Sequence, residues 1–315
     1  MKKVISAPIN AVKERIHIPS SKSISNRLLI IRALAHSVAP IHNLSESDDT
    51  ELLSQALDTE SDVKDVGHAG TAMRFLTAYF STQPGEVTLT GSERMKQRPV
   101  GPLVDALKQV GANIEYLENK ACPPLRIIGE HLIGGSIEIE AGISSQFISA
   151  LMMIAPLLEG GLTIELKGRV VSASYIEMTL SLMNSCGIAA RFDGRIISVP
   201  QGAYSMGDLT VESDWSGASY WFQVAALLPG SEITLPNLSQ DSLQGDSSLV
   251  QIFEPLGVRS GFNDEGLLLR SYKQDLPENF TYDFTGCPDL VQTCALTLCA
   301  LGIPFRFTGT RTLRV

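Results

Sequence analysis

GTAMRFLTAYF at residues 70–80 is an apolar stretch typical of a helix, and GEVTLTG at 85–91 alternates like a strand. The same pairing of helix and strand occurs five times along the chain. The other helical stretches are SKSISNRLLIIRALA (21–35), SSQFISALMMIAPLL (144–158), WSGASYWFQVAALL (215–228) and PDLVQTCALTLCAL (288–301), followed by VAPIHNL, GLTIELKG, GSEITLPNL and GIPFRFTG. Gly85, Gly161, Gly230 and Gly302 stand near the strand starts at separations of 76, 69 and 72 residues by subtraction. The sequence therefore predicts a repeated α/β unit.

Three of these units continue into a second helix that ends at a glycine, a C-cap signal, and then into a further strand. These continuations are LVDALKQVGANIEY, MTLSLMNSCGIAARF and LVQIFEPLGVRSGF. The first unit has only DDTELLSQALDTE without a clear hairpin, and the fifth stops at Val315 where a second helix is expected. Because repeat units bury their apolar faces against neighbours, we expect part of the last core to be uncovered.

Composition indicates a soluble globular protein with one or two domains, since 44% of the 315 residues are hydrophobic and 19% are charged. A net charge of −9 argues against a nucleic-acid partner or an anionic membrane surface. We find no secretory signal and no membrane-length apolar window, so a cytoplasmic location is expected. Five scattered cysteines without a C-x-x-C pair predict reduced, buried thiols, and the histidines show no metal-binding spacing.

The helical stretches share polar or glycine residues at their starts, where backbone N–H groups are free to bind. These residues are Ser20, Ser21, Ser23, Gly70, Thr71, Ser144, Ser145, Ser216 and Asp289. One interpretation is that each is only a helix cap. The other is that equivalent helix N-termini converge on a cleft and bind an anion there.

Cations accompany these helix starts: Lys22 and Arg27 on the first helix, Arg74 on the second, and Arg98 in the loop GSERMKQRPV. Arg27 follows Ser23 by four residues and Arg74 follows Thr71 by three, so each shares a helix face with a polar group. This pattern favours a phosphate or carboxylate ligand, and the alternative is a solvated surface charge. Nucleotide and acyl-serine motifs such as G-x-G-x-x-G, Walker A and G-x-S-x-G are absent.

Seven motifs along nearly the whole chain resemble the EPSP synthase family. They are PSSKSISNRLLIIRALA, GHAGTAMRFLTA, LTGSERMKQRPVGPLVDAL, SSQFISALMMIAPL, SYIEMTLSLM, VESDWSGASYW and QGD. The resemblance implies two similar domains that together form an inside-out α/β barrel of βαβαββ units. It places residues 20–211 in the first domain, and residues 1–19 and 212–315 in a second domain that is C-terminally truncated.

The resemblance also implies a reaction: the 5-hydroxyl of shikimate 3-phosphate adds to C2 of protonated phosphoenolpyruvate, and phosphate then leaves. It implies small-molecule substrates, no metal or organic cofactor, and a monomeric protein. Matched position by position, the residues expected at shikimate 3-phosphate are Lys22, Ser23, Arg27, Ser144, Ser145, Gln146, Ser172, Tyr175 and Asp289. Those expected at phosphoenolpyruvate are Lys22, Gly70, Arg98 and Gln146, and those expected in catalysis are Asp289 and Lys22. For Asp289 the alternative is a plain helix N-cap.

Several positions depart from the family pattern. His68 and Phe75 stand in GHAGTAMRF where the family has GNAGTAMRP, and Ser172 to Tyr175 read SASY in place of SKPY. The family continues beyond Arg314 and Val315 into K-E-T-D-R, so a non-catalytic fragment that binds shikimate 3-phosphate is the main alternative function. A third hypothesis is UDP-N-acetylglucosamine enolpyruvyl transferase, whose loop carries a reactive cysteine that SERMKQRP lacks.

Overall fold

The computed structural model describes residues 10–142 and 144–310, which form a mixed α/β fold. The helices are α1 Lys22–Leu34, α2 Asp48–Asp58, α3 Gly70–Ser81, α4 Gly101–Gln109, α5 Ser145–Ile154, α6 Ala173–Ser185, α7 Trp215–Leu227, α8 Leu249–Phe253 and α9 Val291–Leu301. The strands are β1 Lys13–Arg15, β2 Ile41–His42, β3 Val63–Asp65, β4 Gly85–Thr90, β5 Asn113–Tyr116, β6 Leu125–Gly129, β7 Ile133–Glu140, β8 Glu159–Lys167, β9 Arg191–Phe192, β10 Ile196–Val199, β11 Leu209–Thr210, β12 Glu232–Leu235, β13 Val258–Asn263, β14 Gly266–Ser271, β15 Phe280–Asp283 and β16 Phe305–Thr308.

Three four-stranded sheets share one topology. Their orders are β3-β4-β6-β5, β7-β8-β10-β9 and β1-β12-β14-β13. In each sheet the first two strands run parallel, and the remaining pairs are antiparallel. In the sheets that begin with β3 and β7, a helix follows each of the first two strands, which gives the predicted βαβαββ unit. In the third sheet, residues 20–211 separate β1 from β12, and α8 follows β12. Two shorter parallel pairs, β2 with β11 and β15 with β16, complete the described sheets.

The chain divides into two compact units, and each has its own hydrophobic core. The first unit comprises residues 20–211, and in it α1, α3 and α5 pack against one another. Every residue of α5 except Gln146 is buried, as expected for a helix that is apolar on all sides. The exception matters because it leaves one polar side chain of α5 available at its N-terminal turn.

The second unit comprises the described residues of 1–19 together with those of 212–315. Its N-terminal strand β1 pairs with β12, so residues distant in sequence complete one sheet. Asp214 starts α7, because its Oδ1 accepts a hydrogen bond of 2.8 Å from the Gly217 N–H. Helix α7 packs against α9 and α8 within this unit.

All five predicted helix-strand pairs are confirmed, as is the mixed α/β class. Several local predictions were wrong. Helix α3 is preceded by Ala69 and has no side-chain cap, and Ser216 does not cap α7 because Asp214 does. Asp289 is not an N-cap either, since it lies inside the short 3₁₀ turn Pro288–Leu290 before α9. Among the cysteines, all of which are free, Cys299 is exposed and Cys122 is half-buried, contrary to the expectation of buried thiols. The second helix expected for the fifth unit would follow Val315, which lies outside the described residues.

Candidate active site

The start of α3 brings two guanidinium groups together over a glycine. A Cβ added to Gly70 would lie 2.4 Å from Nη1 of Arg98 and 3.0 Å from Nη1 of Arg74. Only a residue without a side chain allows both groups to approach the first turn of α3 so closely. Burial, together with the charge of Arg98, lowers the pKa of Arg74 to about 10, while the charge of Asp49 opposes the shift. Arg74 still carries its charge at neutral pH, and two guanidinium groups at a helix start favour an anion.

Gln146 connects α5 to α3 at this point. Its Oε1 accepts a hydrogen bond of 2.7 Å from Arg74 Nη1, and its Nε2 donates to Thr71 Oγ1 at 3.2 Å. Arg74 Nη1 also donates to the Gly70 carbonyl oxygen at 3.1 Å, and its guanidinium lies 5.3 Å from the ring centre of Phe147. These contacts are made with neutral groups, so they orient Arg74 without neutralising it.

Two consecutive aspartates at the start of α2 face basic side chains of neighbouring elements. Lys22 Nζ lies 3.9 Å from Asp49 Oδ2, and His68 Nε2 lies 3.4 Å from Asp48 Oδ2. Lys22 keeps 45% of its side-chain surface exposed, so the amine remains accessible to a ligand. Sequence reasoning missed both aspartates, although acidic residues in a first helical turn are a recognised stabilising signal.

Arg27 is buried, with 2% of its surface exposed, so the alternative of a solvated surface charge was wrong for this residue. Its Nε donates to Thr179 Oγ1 at 2.7 Å, its Nη2 donates to Ser149 Oγ at 3.1 Å, and its Nη1 donates to the Ser23 carbonyl oxygen at 2.8 Å. The guanidinium therefore joins α1 to α5 and α6. Burial lowers the pKa of Arg27 to about 10, and the group still carries its charge at neutral pH.

The predicted serines lie at the starts of α5 and α6. Ser144 caps α5, because its Oγ accepts a hydrogen bond of 3.3 Å from the Gln146 N–H, and Ser145 beside it is buried. Ser172 precedes α6 in the left-handed region, at a φ of 55°. Tyr175 follows in the first turn of α6, with its ring centre 5.7 Å from the Arg27 guanidinium carbon. The first unit thus brings together predicted residues from four helices: α1, α3, α5 and α6.

Asp289 lies in the second unit beside a group of carboxylates. Burial, with a smaller contribution from the charges of Asp289 and Asp214, raises the pKa of Asp246 to about 7. A hydrogen bond of 2.5 Å from Ser216 Oγ to Asp246 Oδ2 acts in the opposite direction. The sequence motif QGD contains Asp246, but its burial became evident only from the structure.

The described residues contain no group of three or more histidine, cysteine or acidic side chains placed to hold a metal ion. None of their helices has the length and apolar character required to cross a lipid bilayer. The first unit instead offers ammonium and guanidinium groups, serine hydroxyls and helix N-termini, which suit phosphate and carboxylate groups.

The fold and this anion-binding arrangement define a repeat-built α/β protein whose site is suited to phosphorylated or carboxylated small molecules. The family model described as EPSP synthase (3-phosphoshikimate 1-carboxyvinyltransferase) matches residues 6–59 and 53–315. The chain therefore belongs to the EPSP synthase family.

Individual relatives agree with this assignment. A 3-phosphoshikimate 1-carboxyvinyltransferase from Bacteroides fragilis strain YCH46 is 47% identical, with 100% of this chain and 77% of that protein covered. One from Colwellia psychrerythraea is 36% identical, with 100% and 78% covered. The fold is similar to a solved structure of EPSP synthase from Acinetobacter baumannii, with a TM-score of 0.68 at 16% identity, covering 97% of this chain and 94% of that one.

Proposed function

We propose that this protein transfers the enolpyruvyl group of phosphoenolpyruvate to the 5-hydroxyl of shikimate 3-phosphate, releasing phosphate. The observation that carries the proposal is the pair of guanidinium groups, Arg74 and Arg98, held over Gly70 in a member of the EPSP synthase family. Relatives with up to 47% identity bear the name 3-phosphoshikimate 1-carboxyvinyltransferase, which describes this reaction.

Phosphoenolpyruvate is assigned to Lys22, Gly70, Arg98 and Gln146. The planar guanidinium of Arg98 can offer two parallel N–H donors to a phosphate or carboxylate. Gly70 permits this approach, and Gln146 holds Arg74 beside it through a 2.7 Å hydrogen bond. Lys22, the first residue of α1, adds a partly exposed ammonium group.

Shikimate 3-phosphate is assigned to a second set of residues, mainly in the first unit. They are Lys22, Ser23, Arg27, Ser144, Ser145, Gln146, Ser172, Tyr175 and, from the second unit, Asp289. Ser144, Ser145 and Ser172 lie at helix starts, where hydroxyl and backbone donors favour a phosphate. Arg27 orders the Tyr175 region from within the core.

The reaction requires a proton to add to C3 of phosphoenolpyruvate while the 5-hydroxyl oxygen bonds to C2 and gives up its own proton. Loss of a methyl proton and cleavage of the C2–O bond to phosphate then restore the double bond. Asp289 is proposed to exchange protons with the 5-hydroxyl, and Lys22 to balance charge on the phosphate that leaves. We further propose that residues 20–211 are the first domain and residues 1–19 with 212–315 belong to the second, in a monomeric, cytoplasmic protein that does not bind nucleic acid.

The test is phosphate release by the purified chain supplied with both substrates. Lys22→Met should reduce turnover at least about a hundredfold, because the positioned positive charge that balances the leaving phosphate is lost. Lys120→Met is the matched control, since Lys120 is exposed in the same unit, and it should leave turnover unchanged. Calorimetry with shikimate 3-phosphate should accompany the assay, because binding without turnover would support the non-catalytic alternative and an absence of both would refute the assignment.

A further inference from the structure

The start of helix α2 is attached to helix α1 by buried polar side chains. Thr50 Oγ1 donates a hydrogen bond of 2.8 Å to Asn26 Oδ1, and both residues are buried. Asn26 follows Lys22 by four residues, so their side chains share one face of α1. Asp49, the residue before Thr50, approaches the Lys22 amine with its carboxylate. Two consecutive residues of α2 therefore meet two residues on the same face of α1.

Serine hydroxyl groups extend this attachment into the loop before α2. Ser47 precedes α2 and is a good N-cap residue, but its side chain makes no capping hydrogen bond. Its Oγ lies 3.1 Å from Thr50 Oγ1, and Ser47 is the donor there because Thr50 gives its one hydroxyl hydrogen to Asn26. On the same loop, the Ser45 N–H donates to Ser25 Oγ of α1 at 2.9 Å. Side-chain hydroxyl groups thus fix the loop and first turn of α2 against α1.

This arrangement does not give α1 and α2 their greatest stability. Ser47 leaves the start of α2 without a side-chain cap. The Nδ2 of Asn26 is buried and has no hydrogen-bond partner among the described residues, which is unfavourable. Local features that lower stability are expected where a protein places functional groups. The attachment therefore indicates a role in positioning the residues at the start of α2.

Asp49 lies among cations that the proposed reaction uses. Its Oδ2 is 3.9 Å from Lys22 Nζ, which is too long for a hydrogen bond, so the carboxylate acts on the amine through its charge. Burial and the charge of Arg98 lower the pKa of Arg74, and the charge of Asp49 opposes that shift. The Asp49 side chain is 20% exposed, so solvent screens its charge less than at a fully exposed position. Because charge interactions depend on distance, both depend on where the first turn of α2 holds Asp49.

We propose that Thr50 is a positioning residue: its hydrogen bond to Asn26 holds Asp49 where the carboxylate keeps the Lys22 amine in place. This inference rests on the proposed function, in which Lys22 balances charge on the phosphate that leaves. Thr50 acts through Asp49, and Asp49 acts through Lys22. When Asp49 is misplaced, Lys22 keeps its charge but not its orientation, so turnover slows while the attraction for anions remains.

Steady-state kinetics test this order of action. Thr50→Val removes the hydroxyl and should lower kcat about tenfold, while the KM for phosphoenolpyruvate changes less than about twofold. Thr50→Ser keeps the hydroxyl and should restore most of kcat. Asp49→Asn should lower kcat by about the same factor as Thr50→Val, and combining the two should lower it no further. Thr77→Val is the matched control, because this buried hydroxyl of α3 bonds only within its own helix, and kcat should not change.

The NMR signal of Lys22 tests the same link without turnover. In a ¹³C-lysine-labelled chain, the Cε–H resonance of Lys22 is identified by its absence in Lys22→Arg. It should shift in Asp49→Asn and in Thr50→Val, and it should keep its position in Thr50→Ser and Thr77→Val. Asn26→Leu removes the acceptor of the same hydrogen bond and should shift the resonance likewise, so it replaces Thr50→Val if that variant does not fold.

The outcomes separate this inference from the proposed function. A Lys22 resonance that stays in place when the bond between Thr50 and Asn26 is removed would overturn the inference. Additive losses of kcat in the combined variant would overturn it too, because Thr50 would then act independently of Asp49. An unmodified chain without turnover would refute only the proposed function, and the Lys22 resonance would still decide whether Thr50 positions Asp49.

Discussion

Asp246 is expected to make the stability of the second unit depend on pH in an unusual direction. Its pKa is raised from the ordinary value of 3.8 to about 7, chiefly by burial and to a smaller extent by the charges of Asp289 and Asp214. Between about pH 4 and pH 7 the folded state therefore holds a proton that the unfolded state has released. Stability must fall as pH rises through this window, because ionising Asp246 in the fold is unfavourable. A difference of about three pKa units between the folded and unfolded states lowers the free energy of unfolding by about 4 kcal/mol, and this loss is complete above pH 7.

The substitution Asp246→Asn isolates this effect. Asparagine keeps the size of the side chain and can still accept a hydrogen bond from Ser216, but it does not ionise. As the pH rises from 4 to 8, we expect the free energy of unfolding of the variant to increase relative to that of the unmodified chain by up to about 4 kcal/mol. Below pH 4, where Asp246 is protonated in both states, the two proteins should differ by a constant amount.

Urea unfolding followed by tryptophan fluorescence is a suitable assay, because both tryptophans of the chain lie in α7 and report on the second unit alone. Asp275→Asn is the matched control, since Asp275 is exposed in the same unit, and it should leave the pH dependence unchanged. Parallel stability curves for Asp246→Asn and the unmodified chain from pH 4 to pH 8 would refute the reasoning.

Two further predictions concern the first unit. Gly70→Ala places a Cβ 2.4 Å from Arg98 Nη1, so the guanidinium of Arg98 must move by about 1 Å. The KM for phosphoenolpyruvate should therefore rise about tenfold, while the KM for shikimate 3-phosphate stays constant. Gly207→Ala, which meets no atom within 4 Å, is its control in steady-state kinetics, and equal KM values in the two variants would contradict the prediction. Arg27→Met should weaken shikimate 3-phosphate binding about a hundredfold in calorimetry. The free energy of unfolding should change by less than about 2 kcal/mol, because the Ser149 and Thr179 hydroxyls remain hydrogen-bonded to each other at 2.8 Å. A larger loss of stability would show that Arg27 is mainly structural.

The repeated fold could be predicted because its signals are local. Apolar periodicity and glycine spacing located α1, α3, α5, α7 and α9 within a few residues of their ends. The cap of α7 was misplaced by two residues, because Ser216 and Asp214 are both good N-cap residues and the choice depends on backbone geometry. The pairing of β1 with β12 joins strands more than 200 residues apart, and no local pattern of residues specifies it.

The candidate site was predictable in its residue types but not in its electrostatic connections. The motifs pointed to Lys22, Arg74 and Gln146. The hydrogen bond from Arg74 to Gln146, however, joins α3 to α5, and the sequence of either helix alone does not predict it. Asp49 was missed for the same reason: its proximity to Lys22 arises from the packing of α2 against α1. Burial of Arg27 could not be derived either, since an arginine within an apolar helix fits a snorkelling surface position equally well.

The way cations are paired explains how an acidic chain can still attract anions. Away from the candidate site, each of three basic residues lies within 4 Å of two glutamates: Arg126 with Glu86 and Glu115, Lys167 with Glu138 and Glu165, and Lys96 with Glu93 and Glu118. Arg27 and Arg74 are instead held by hydroxyl, amide and carbonyl groups, with no carboxylate within 4 Å among the described residues. A charge oriented by neutral donors and acceptors keeps its field, whereas one paired with two carboxylates does not. An anion site can therefore exist in a chain of net charge −9, because it depends on arginines that the fold positions without neutralising them.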